Sequence, residues 1–167
     1  MASEKYVESI MRYDFPVLDT IDPILRAIEG RTEILRINKA EASDGYGIID
    51  YIVNFKDTFP DMDGNEDERM LAALRRETRG IAFDVKTGEI VSRPFHKFFN
   101  VGERLETQTD VVDLNQPHHI LSKHDGSMIR TIRSKNGIQF GTRAGVTGIS
   151  NQAWMFASGS PMYTRFI

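Results

Sequence analysis

Two stretches of this chain have the pattern of β-hairpins, and they constrain its fold more than any other feature. Gly80 to Val85 and Glu89 to Arg93 are rich in apolar and β-branched residues and flank a Lys-Thr-Gly turn. Met128 to Ser134 and Ile138 to Thr142 flank an Asn-Gly pair, the strongest short hairpin signal. The sequence therefore predicts an antiparallel sheet built from hairpins.

Helical periodicity is present on both sides of the hairpins. Residues 5–13 and 17–28 carry apolar side chains at helical spacing, and Asp22 and Pro23 are predicted as the N-cap and first residue of the second helix, which ends at Gly30. Further helices are predicted at 66–76 and around Trp154, and further strands at 34–37 and 47–55. The pattern predicts an α+β fold, in which helices flank an antiparallel, hairpin-rich sheet.

Length and composition bound the class of protein. The 167 residues suit one domain, which we divide into a lead-in at 1–46 and a main part at 47–167. The absence of cysteine excludes disulfides, thiolate metal sites and cysteine nucleophiles. We find no apolar run long enough for a membrane span and no secretory signal pattern at the first residues, and we expect a cytoplasmic protein.

The net charge of −3 hides an asymmetry between the two parts of the chain. Residues 1–68 carry 7 basic and 16 acidic residues, a charge of −9, whereas 69–167 carry 14 and 8, a charge of +6. No acidic residue follows Asp125. Two explanations stay open: an anionic partner such as nucleotide or nucleic acid, or chance variation between two parts of one domain.

A two-residue turn at the Asn-Gly pair would place two arginines opposite one another. In that register Arg130 faces Arg143 and Ile132 faces Gly141 across the second hairpin. Like charges directly opposite destabilise a sheet. The prediction is therefore either an anion near the two arginines or side chains that splay apart.

The segment before the second hairpin contains Lys-His-Asp-Gly. Its Asp-Gly pair favours a tight turn, which would place Lys123 in a loop between a strand at 118–122 and the strand that begins at Met128. A lysine held in such a loop is a candidate covalent nucleophile if desolvation or neighbouring cations lower its pKa. The alternative is an ordinary surface lysine beside a hairpin turn.

Three segments, in order, carry a resemblance to a known family. They are Arg-Glu-Thr-Arg-Gly-Ile-Ala-Phe at 76–83, Ser-Arg-Pro-Phe-His-Lys-Phe-Phe-Asn-Val-Gly-Glu at 92–103 and Ser-Lys-His-Asp-Gly-Ser at 122–127. Together they closely resemble the adenylation domain of phage-type ATP-dependent RNA ligases, which belong to the lysine-nucleotidyltransferase superfamily. The resemblance runs from about Gly47 to Arg143 and implies the N-terminal portion of the nucleotidyltransferase fold.

The resemblance implies a reaction in three steps, with ATP and RNA ends as substrates and Mg²⁺ as cofactor. A lysine attacks the α-phosphorus of ATP, AMP passes to an RNA 5′-phosphate, and an RNA 3′-hydroxyl displaces AMP. Catalysis then depends on positioning and on charge neutralisation by arginine forks and lysine point charges.

By the same resemblance, individual residues acquire roles. Lys123 is the nucleophile, and Asp125 and Gly126 shape its loop. The nucleotide would be bound by Arg79, Lys97, Phe99, Asp125, Gly126 and Arg143. The alternative to a nucleotide-binding role for Arg79 is an ion pair with Glu77. The sequence leaves open which of Phe98 and Phe99 is buried. At the position of Arg143 the family commonly has lysine, so arginine there keeps the charge but not the point-charge geometry.

Part of the family pattern is missing from these 167 residues. The family's downstream metal-binding acids and Lys-x-Lys pair have no counterpart after Asp125, and the histidines at 118, 119 and 124 do not have metal-ligand spacing. We therefore predict no metal ligands in this chain and expect a truncated ligase or one completed by another chain. The alternatives are a catalytically inactive nucleotide- or RNA-binding fragment and a relative of DNA ligases or capping enzymes.

Overall fold

The protein is described by a computed structural model, which covers residues 15–38 and 45–164. It is an α+β fold with antiparallel strands, as predicted. The elements are α1 (Asp22–Ala27), β1 (Ile34–Asn38), β2 (Tyr46–Tyr51), α2 (Glu66–Arg76), β3 (Arg79–Asp84), β4 (Ile90–Ser92), a 3-10 helix (Leu105–Thr107), β5 (Arg130–Ser134), β6 (Gly137–Gly141) and α3 (Gly148–Ser158). The helix predicted at 5–13 lies outside the described residues.

Strands β1 to β4 form one antiparallel sheet in chain order, and β5 and β6 form a separate hairpin. Both faces of the larger sheet are buried. Ile49, Ile81 and Phe83 pack with α1 on one face. On the other face Ile48 and Ala82 pack with Ile132 of β5. Burial on two faces explains why β2 and β3 read as continuous apolar runs instead of alternating ones.

Helix α2 begins and ends where the sequence predicts, because its N-terminus is capped by local chemistry. The Asn65 side chain accepts a hydrogen bond from the backbone N–H of Glu68 (3.0 Å), and the Glu68 side chain accepts one from the backbone N–H of Asn65 (2.8 Å). This reciprocal capping box satisfies two backbone donors that a helix start otherwise leaves without partners. The helix that contains Trp154 is also confirmed, as α3.

The first described helix is shorter than predicted and starts one residue earlier. Its N-cap is Ile21, so Asp22 and Pro23 are the first two helical residues and not the cap and first residue. The buried Ile21 donates its backbone N–H to the carbonyl of Gly88 (2.8 Å), so contact with the first hairpin sets where the helix begins. Gly30, with φ of +74°, follows shortly after its end.

The second hairpin has a different register from the predicted one. Ser134 pairs with Gly137, so the turn is Lys135-Asn136, and Arg130 lies opposite Gly141. The expected opposition of Arg130 and Arg143 was therefore wrong, as was that of Ile132 and Gly141, since Ile132 faces Gln139. Gly137 follows the turn with φ of +99°, a conformation that glycine accepts without a side-chain penalty.

The strand predicted at 118–122 is absent, and its residues are exposed and irregular. Its short apolar run, Ile120-Leu121, is 89% and 84% exposed, so no neighbouring strand or core surface covers it. Strand propensity without a partner does not produce a strand. The lysine loop is consequently longer and less enclosed on its N-terminal side than a strand-to-strand loop would be.

Candidate functional site

Asp50 and Arg79 are paired across strands β2 and β3, and they are the starting point of the site. The pairing follows a register shift between Ile49 and Asp50, where the strand ends and polar residues replace the apolar core. Asp50 Oδ2 accepts from Nε of Arg143, which lies just beyond β6, at 2.9 Å. The sheet and the second hairpin therefore meet at this edge through an acid–base pair.

Gly80 allows the hairpin to approach the sheet at this edge. It adopts φ of +86°, and a Cβ placed there would be 2.8 Å from the backbone oxygen of Arg143. The Gly80 carbonyl accepts a hydrogen bond from Nη2 of Arg130, at the start of β5. We call Asp50, Arg79, Gly80, Arg130 and Arg143 the Gly80 junction.

Burial changes the electrostatics of the Gly80 junction. The pKa of Asp50 is raised above its ordinary value, because burial disfavours the carboxylate more than Arg143 and Arg79 favour it. Arg143 also lies over the Tyr51 ring, with Cζ 4.9 Å from the ring centre. Burial lowers the pKa of Arg130 to about 10, against the opposing influence of Tyr46 and Asp50. Arg130 therefore remains a cation at neutral pH.

A second group of cations surrounds the ring of Phe99, and we call it the Phe99 cluster. Lys97 Nζ lies 4.4 Å from the ring centre, and the guanidinium carbons of Arg104 and Arg76 lie 4.7 and 5.0 Å from it. Phe99 is partly buried and packs edge-on against Phe59, whereas Phe98 is exposed. This answers which of the two phenylalanines is the inner one.

Hydrogen bonds hold the loop that carries Lys97. The backbone N–H of Lys97 donates to the Arg76 carbonyl at the end of α2 (2.7 Å), and Lys97 Nζ donates to the Phe98 carbonyl (3.0 Å). Nearby, Arg93 binds the buried Glu77 carboxylate through two hydrogen bonds of 2.9 and 2.8 Å. The alternative that Glu77 pairs with Arg79 was therefore wrong.

Arg79 links the Phe99 cluster to the Gly80 junction. Its Cζ lies 5.1 Å from the Phe98 ring centre, and Nη1 donates to the Phe95 carbonyl (3.3 Å). The pKa of Lys97 is lowered first by burial; Glu103 opposes this shift, and the charges of Arg79, Arg104 and Arg76 add to it. The charge of Arg79 acts on both Lys97 and Asp50, so the two groups adjoin. Their cations outnumber their carboxylates, which include Glu106, paired with Arg76 at 2.6 Å. Such a cationic surface suits the phosphates of a nucleotide.

Lys123 lies outside this surface. Its side chain is 85% exposed, and its charged neighbour is Asp125, with Nζ and Oδ1 3.5 Å apart. None of the hydrogen bonds or ion pairs among the described residues joins Lys123 to Arg79 or Lys97. Gly126 adopts φ of +136° with open space around it, so the backbone there is accessible to a ligand.

Comparison with known proteins bears on the same segment. A family model described as RNA ligase matches residues 77–158. Residues 77–158, which we call the RNA ligase segment, are therefore similar to RNA ligases, as the sequence predicts. A 56-residue segment is 50% identical to a putative RNA ligase of Thermovibrio ammonificans and covers 34% of this chain and 14% of that protein. A 72-residue segment is 35% identical to RNA ligase 1 of Bacteriophage TS2126 and covers 41% of this chain and 18% of that protein.

The RNA ligase segment includes every site residue that the sequence suggested. Arg79, Lys97, Phe99, Lys123, Asp125, Gly126 and Arg143 all lie within 77–158. The matched regions are less than a fifth of either relative's length. The likeness to RNA ligases rests on this segment, and the roles of single residues are proposals.

Several residues of the site have no counterpart in the sequence-based prediction. Asp50, Arg76 and Arg104 contact Arg143 or Phe99, and Arg130 was considered only as one of two facing arginines that would hold an anion or splay apart. Arg76 ends the predicted helix before the Lys97 loop, and Arg104 directly follows that loop. Their position in the sequence was the signal that could have indicated a role in the site. The partnership of Asp50 with Arg143 depends on how the hairpin docks, which local pattern does not specify.

The described residues do not supply a metal centre. Within 15–38 and 45–164 no group of three or more histidine, aspartate or glutamate side chains is placed to hold an ion. The proposed steps therefore assign no Mg²⁺ ligand among these residues. In the same ranges no helix is long and apolar enough to cross a membrane.

Proposed function

We propose that this chain contributes to an ATP-dependent RNA ligase in which Lys123 carries AMP as a covalent intermediate. In this proposal residues 47–167 form part of an adenylation domain of the nucleotidyltransferase fold, and the reaction takes place in the cytoplasm. The observation that supports it best is the cationic surface of Arg79 and Lys97 around Phe98 and Phe99, which lies in an RNA ligase family segment that also contains Lys-x-Asp-Gly.

The first step forms a bond between Lys123 and AMP. The unprotonated Nζ attacks the α-phosphorus of ATP, the bond from phosphorus to the pyrophosphate oxygen breaks, pyrophosphate leaves, and the new nitrogen loses a proton. Arg79 and Lys97 would bind the triphosphate and neutralise its developing charge. The loop at 118–127 must then bring the Lys123 amine in line with the departing pyrophosphate.

Two further steps complete the ligation. An oxygen of the RNA 5′-phosphate attacks the lysine-bound phosphorus and forms a phosphoanhydride that joins AMP to the RNA. The bond from phosphorus to Nζ breaks, and Nζ takes up a proton as the Lys123 amine leaves. The RNA 3′-hydroxyl then attacks the 5′-phosphorus, forms the phosphodiester and releases AMP and a proton. The cationic surface supports both steps by holding anionic groups close together.

The test is labelling of the protein with ATP that carries radioactive phosphorus at the α position, with Mg²⁺ present. We expect an acid-labile label on the protein that Lys123→Ala abolishes and Lys86→Ala, in the exposed turn of the first hairpin, retains. A label that survives Lys123→Ala would overturn the assignment of the nucleophile. GTP in place of ATP, and nicked DNA in place of single-stranded RNA ends, separate this proposal from a capping enzyme or DNA ligase.

A second candidate is a module that binds nucleotide or RNA without covalent chemistry. The 85% exposure of the Lys123 side chain favours this candidate, because packing does not fix the position of the amine. It predicts no labelled protein under any condition, together with RNA binding that weakens steeply as salt rises. The labelling experiment and a salt titration therefore decide between the two candidates.

A further inference from the structure

An open cleft of about 630 Å³ lies between the loop at 94–96 and the start of β5. Phe15, Phe95 and His96 line one side of it, and Met128, Ile129 and Arg130 line the other. Of these six residues, Arg130 alone was considered above for binding an anion, as a member of the Gly80 junction. The cleft begins directly where the exposed Lys123 loop ends, at Met128.

Arg130 brings unsatisfied hydrogen-bond donors to this cleft. Its Nη2 donates to the Gly80 carbonyl, but Nε and Nη1 are enclosed and have no hydrogen-bond partner among the residues that the structure describes. A buried cation with unused donors is costly unless an anion or another acceptor meets it. The guanidinium therefore has two unused donors that an anionic group would satisfy, Nε and Nη1, which lie on different edges of the group and do not form a bidentate fork.

The acid in the cleft does not compete for Arg130. Glu77 also lines the cleft, but both of its carboxylate oxygens are bound by Arg93. Burial lowers the pKa of His96, and Glu77 opposes this shift, so the imidazole is neutral at pH 7. The cleft thus presents one cation with free donors beside neutral aromatic rings.

Two exposed phenylalanines form the outer wall. Phe95 is 69% exposed and Phe15 is 61% exposed, and the Phe15 ring packs edge-on against His96 with ring centres 5.1 Å apart. Proteins bind single-stranded nucleic acid through aromatic faces that stack on bases and cations that contact the backbone. This cleft combines both groups within one opening.

We propose that the cleft binds the 5′-terminal nucleotide of a single-stranded RNA, with Arg130 on its phosphate and Phe95 and Phe15 against its base. This inference rests on the proposed function, because it names where the RNA substrate of that reaction lies. The 5′-phosphate must reach the AMP carried by Lys123, and the cleft adjoins the Lys123 loop. Arg79 connects the two regions, since it binds the Phe95 carbonyl at the rim of the cleft.

ATP is the less suitable occupant. The residues that the family resemblance relates to ATP include Lys97 and Phe99, which form a separate cluster, and neither lines this cleft. Of the two arginines that line the cleft, Arg93 is bound to Glu77, so Arg130 alone has unused donors among the described residues. One such cation and an open aromatic wall suit one phosphate and one base of a continuing chain better than a triphosphate, which requires several cations. The cleft is therefore assigned to RNA.

The test is binding of a short single-stranded oligoribonucleotide labelled at its 3′ end, measured by fluorescence anisotropy. We expect the 5′-phosphorylated form to bind more tightly than the 5′-hydroxyl form. Arg130→Gln should weaken binding of the phosphorylated form about tenfold, the effect of one charge-assisted contact, and remove the preference between the two forms. Phe95→Ser should weaken binding of both forms.

Two matched variants serve as controls. Arg133→Gln changes an exposed arginine of the same strand that binds Glu89, and Phe156→Ser changes a phenylalanine of α3 that is 70% exposed, as Phe95 is 69% exposed. Both controls should bind RNA as the unsubstituted protein does. Arg130 is partly buried, so its substitution also affects packing. Phe95 is exposed, so Phe95→Ser tests the cleft without disturbing the core.

The outcomes separate this inference from the proposed function. Unchanged RNA binding by Arg130→Gln and Phe95→Ser, or no RNA binding by the protein, overturns the cleft assignment, whatever the labelling of Lys123 shows. Loss of ATP binding in Arg130→Gln, measured by calorimetry, also overturns it in favour of a mononucleotide site. RNA binding that requires Arg130 and Phe95 supports the cleft even where Lys123 is never labelled.

Discussion

Asp50 and Arg143 form an ion pair, with Oδ2 and Nε 2.9 Å apart, at the edge where the β5–β6 hairpin docks onto the four-stranded sheet. Asp50 is largely enclosed and its Oδ1 has no partner among the described residues, whereas Arg143 is 45% exposed at its side chain. The pair therefore fixes the buried end of Arg143 and leaves much of that side chain open to an anionic ligand.

Asp50→Asn is expected to change how stability depends on pH. The folded protein holds the Asp50 proton more tightly than the unfolded chain does, because the pKa of Asp50 is raised above 3.8, chiefly by burial. The stabilising contribution of this proton is present at low pH and is lost as pH rises from 3.8 through the raised pKa. Urea unfolding at a series of pH values should show the unsubstituted protein losing stability relative to Asp50→Asn over that range.

Asp113→Asn is the control, because its effect on stability should depend on pH in the opposite direction. Hydrogen bonds from the backbone and side chain of Asn115 lower the pKa of Asp113, so its contribution is lost as pH falls through that lowered value. If the unsubstituted protein instead gains stability over Asp50→Asn as pH rises above 3.8, the attraction of Arg143 outweighs burial and the assignment of causes is wrong.

Arg93→Met is expected to cost about 3 kcal/mol in the free energy of unfolding. Glu77 is 2% exposed at its side chain and both its oxygens are bound by Arg93, so the substitution leaves a buried carboxylate without its cation. Arg133→Met, which breaks an exposed ion pair with Glu89, should cost less than about 1 kcal/mol. Equal costs in urea unfolding would mean that the Glu77 pair has no special stabilising role.

The elements were largely predictable from sequence, because their signals are local. Helix α2 has its own capping box, and a glycine at positive φ lies in the first hairpin turn, at Gly88, and directly after the second, at Gly137. The strand predicted at 118–122 failed for a physical reason: its apolar residues found no surface to pack against. Local propensity predicts an element well where the chain also provides a partner for it.

The site was predictable in its residue types but not in its contacts. The resemblance named Arg79, Lys97 and Phe99, and the structure brings them together in one region. The pairing of Asp50 with Arg143 depends on how the hairpin docks. The unused donors of Arg130 depend on the hairpin register, which differs from the predicted one because the turn is Lys135-Asn136. Long-range packing fixes such details, and short motifs do not encode it.

Gly80→Ala is expected to destabilise the protein more than Gly137→Ala. Both glycines adopt positive φ, which costs an alanine about 1–2 kcal/mol. At Gly80 the added Cβ would also lie 2.8 Å from the Arg143 backbone oxygen, whereas at Gly137 nothing lies within 4 Å. Overpacking adds about 1–3 kcal/mol. Similar free energies of unfolding for the two variants would show that the hairpin does not dock closely on Gly80.

Lys97→Met is expected to weaken ATP binding about tenfold, the loss of one charge-assisted phosphate contact. Lys97 is held by its backbone bond to Arg76 and by Phe99, so its ammonium is placed before the ligand arrives. Methionine retains the apolar stem over the Phe99 ring and removes only the charge. Lys86→Met, in the exposed hairpin turn, is the control and should bind ATP normally in calorimetry. If both variants bind ATP equally well, the Phe99 cluster stabilises the loop at 95–104 and is not the phosphate site.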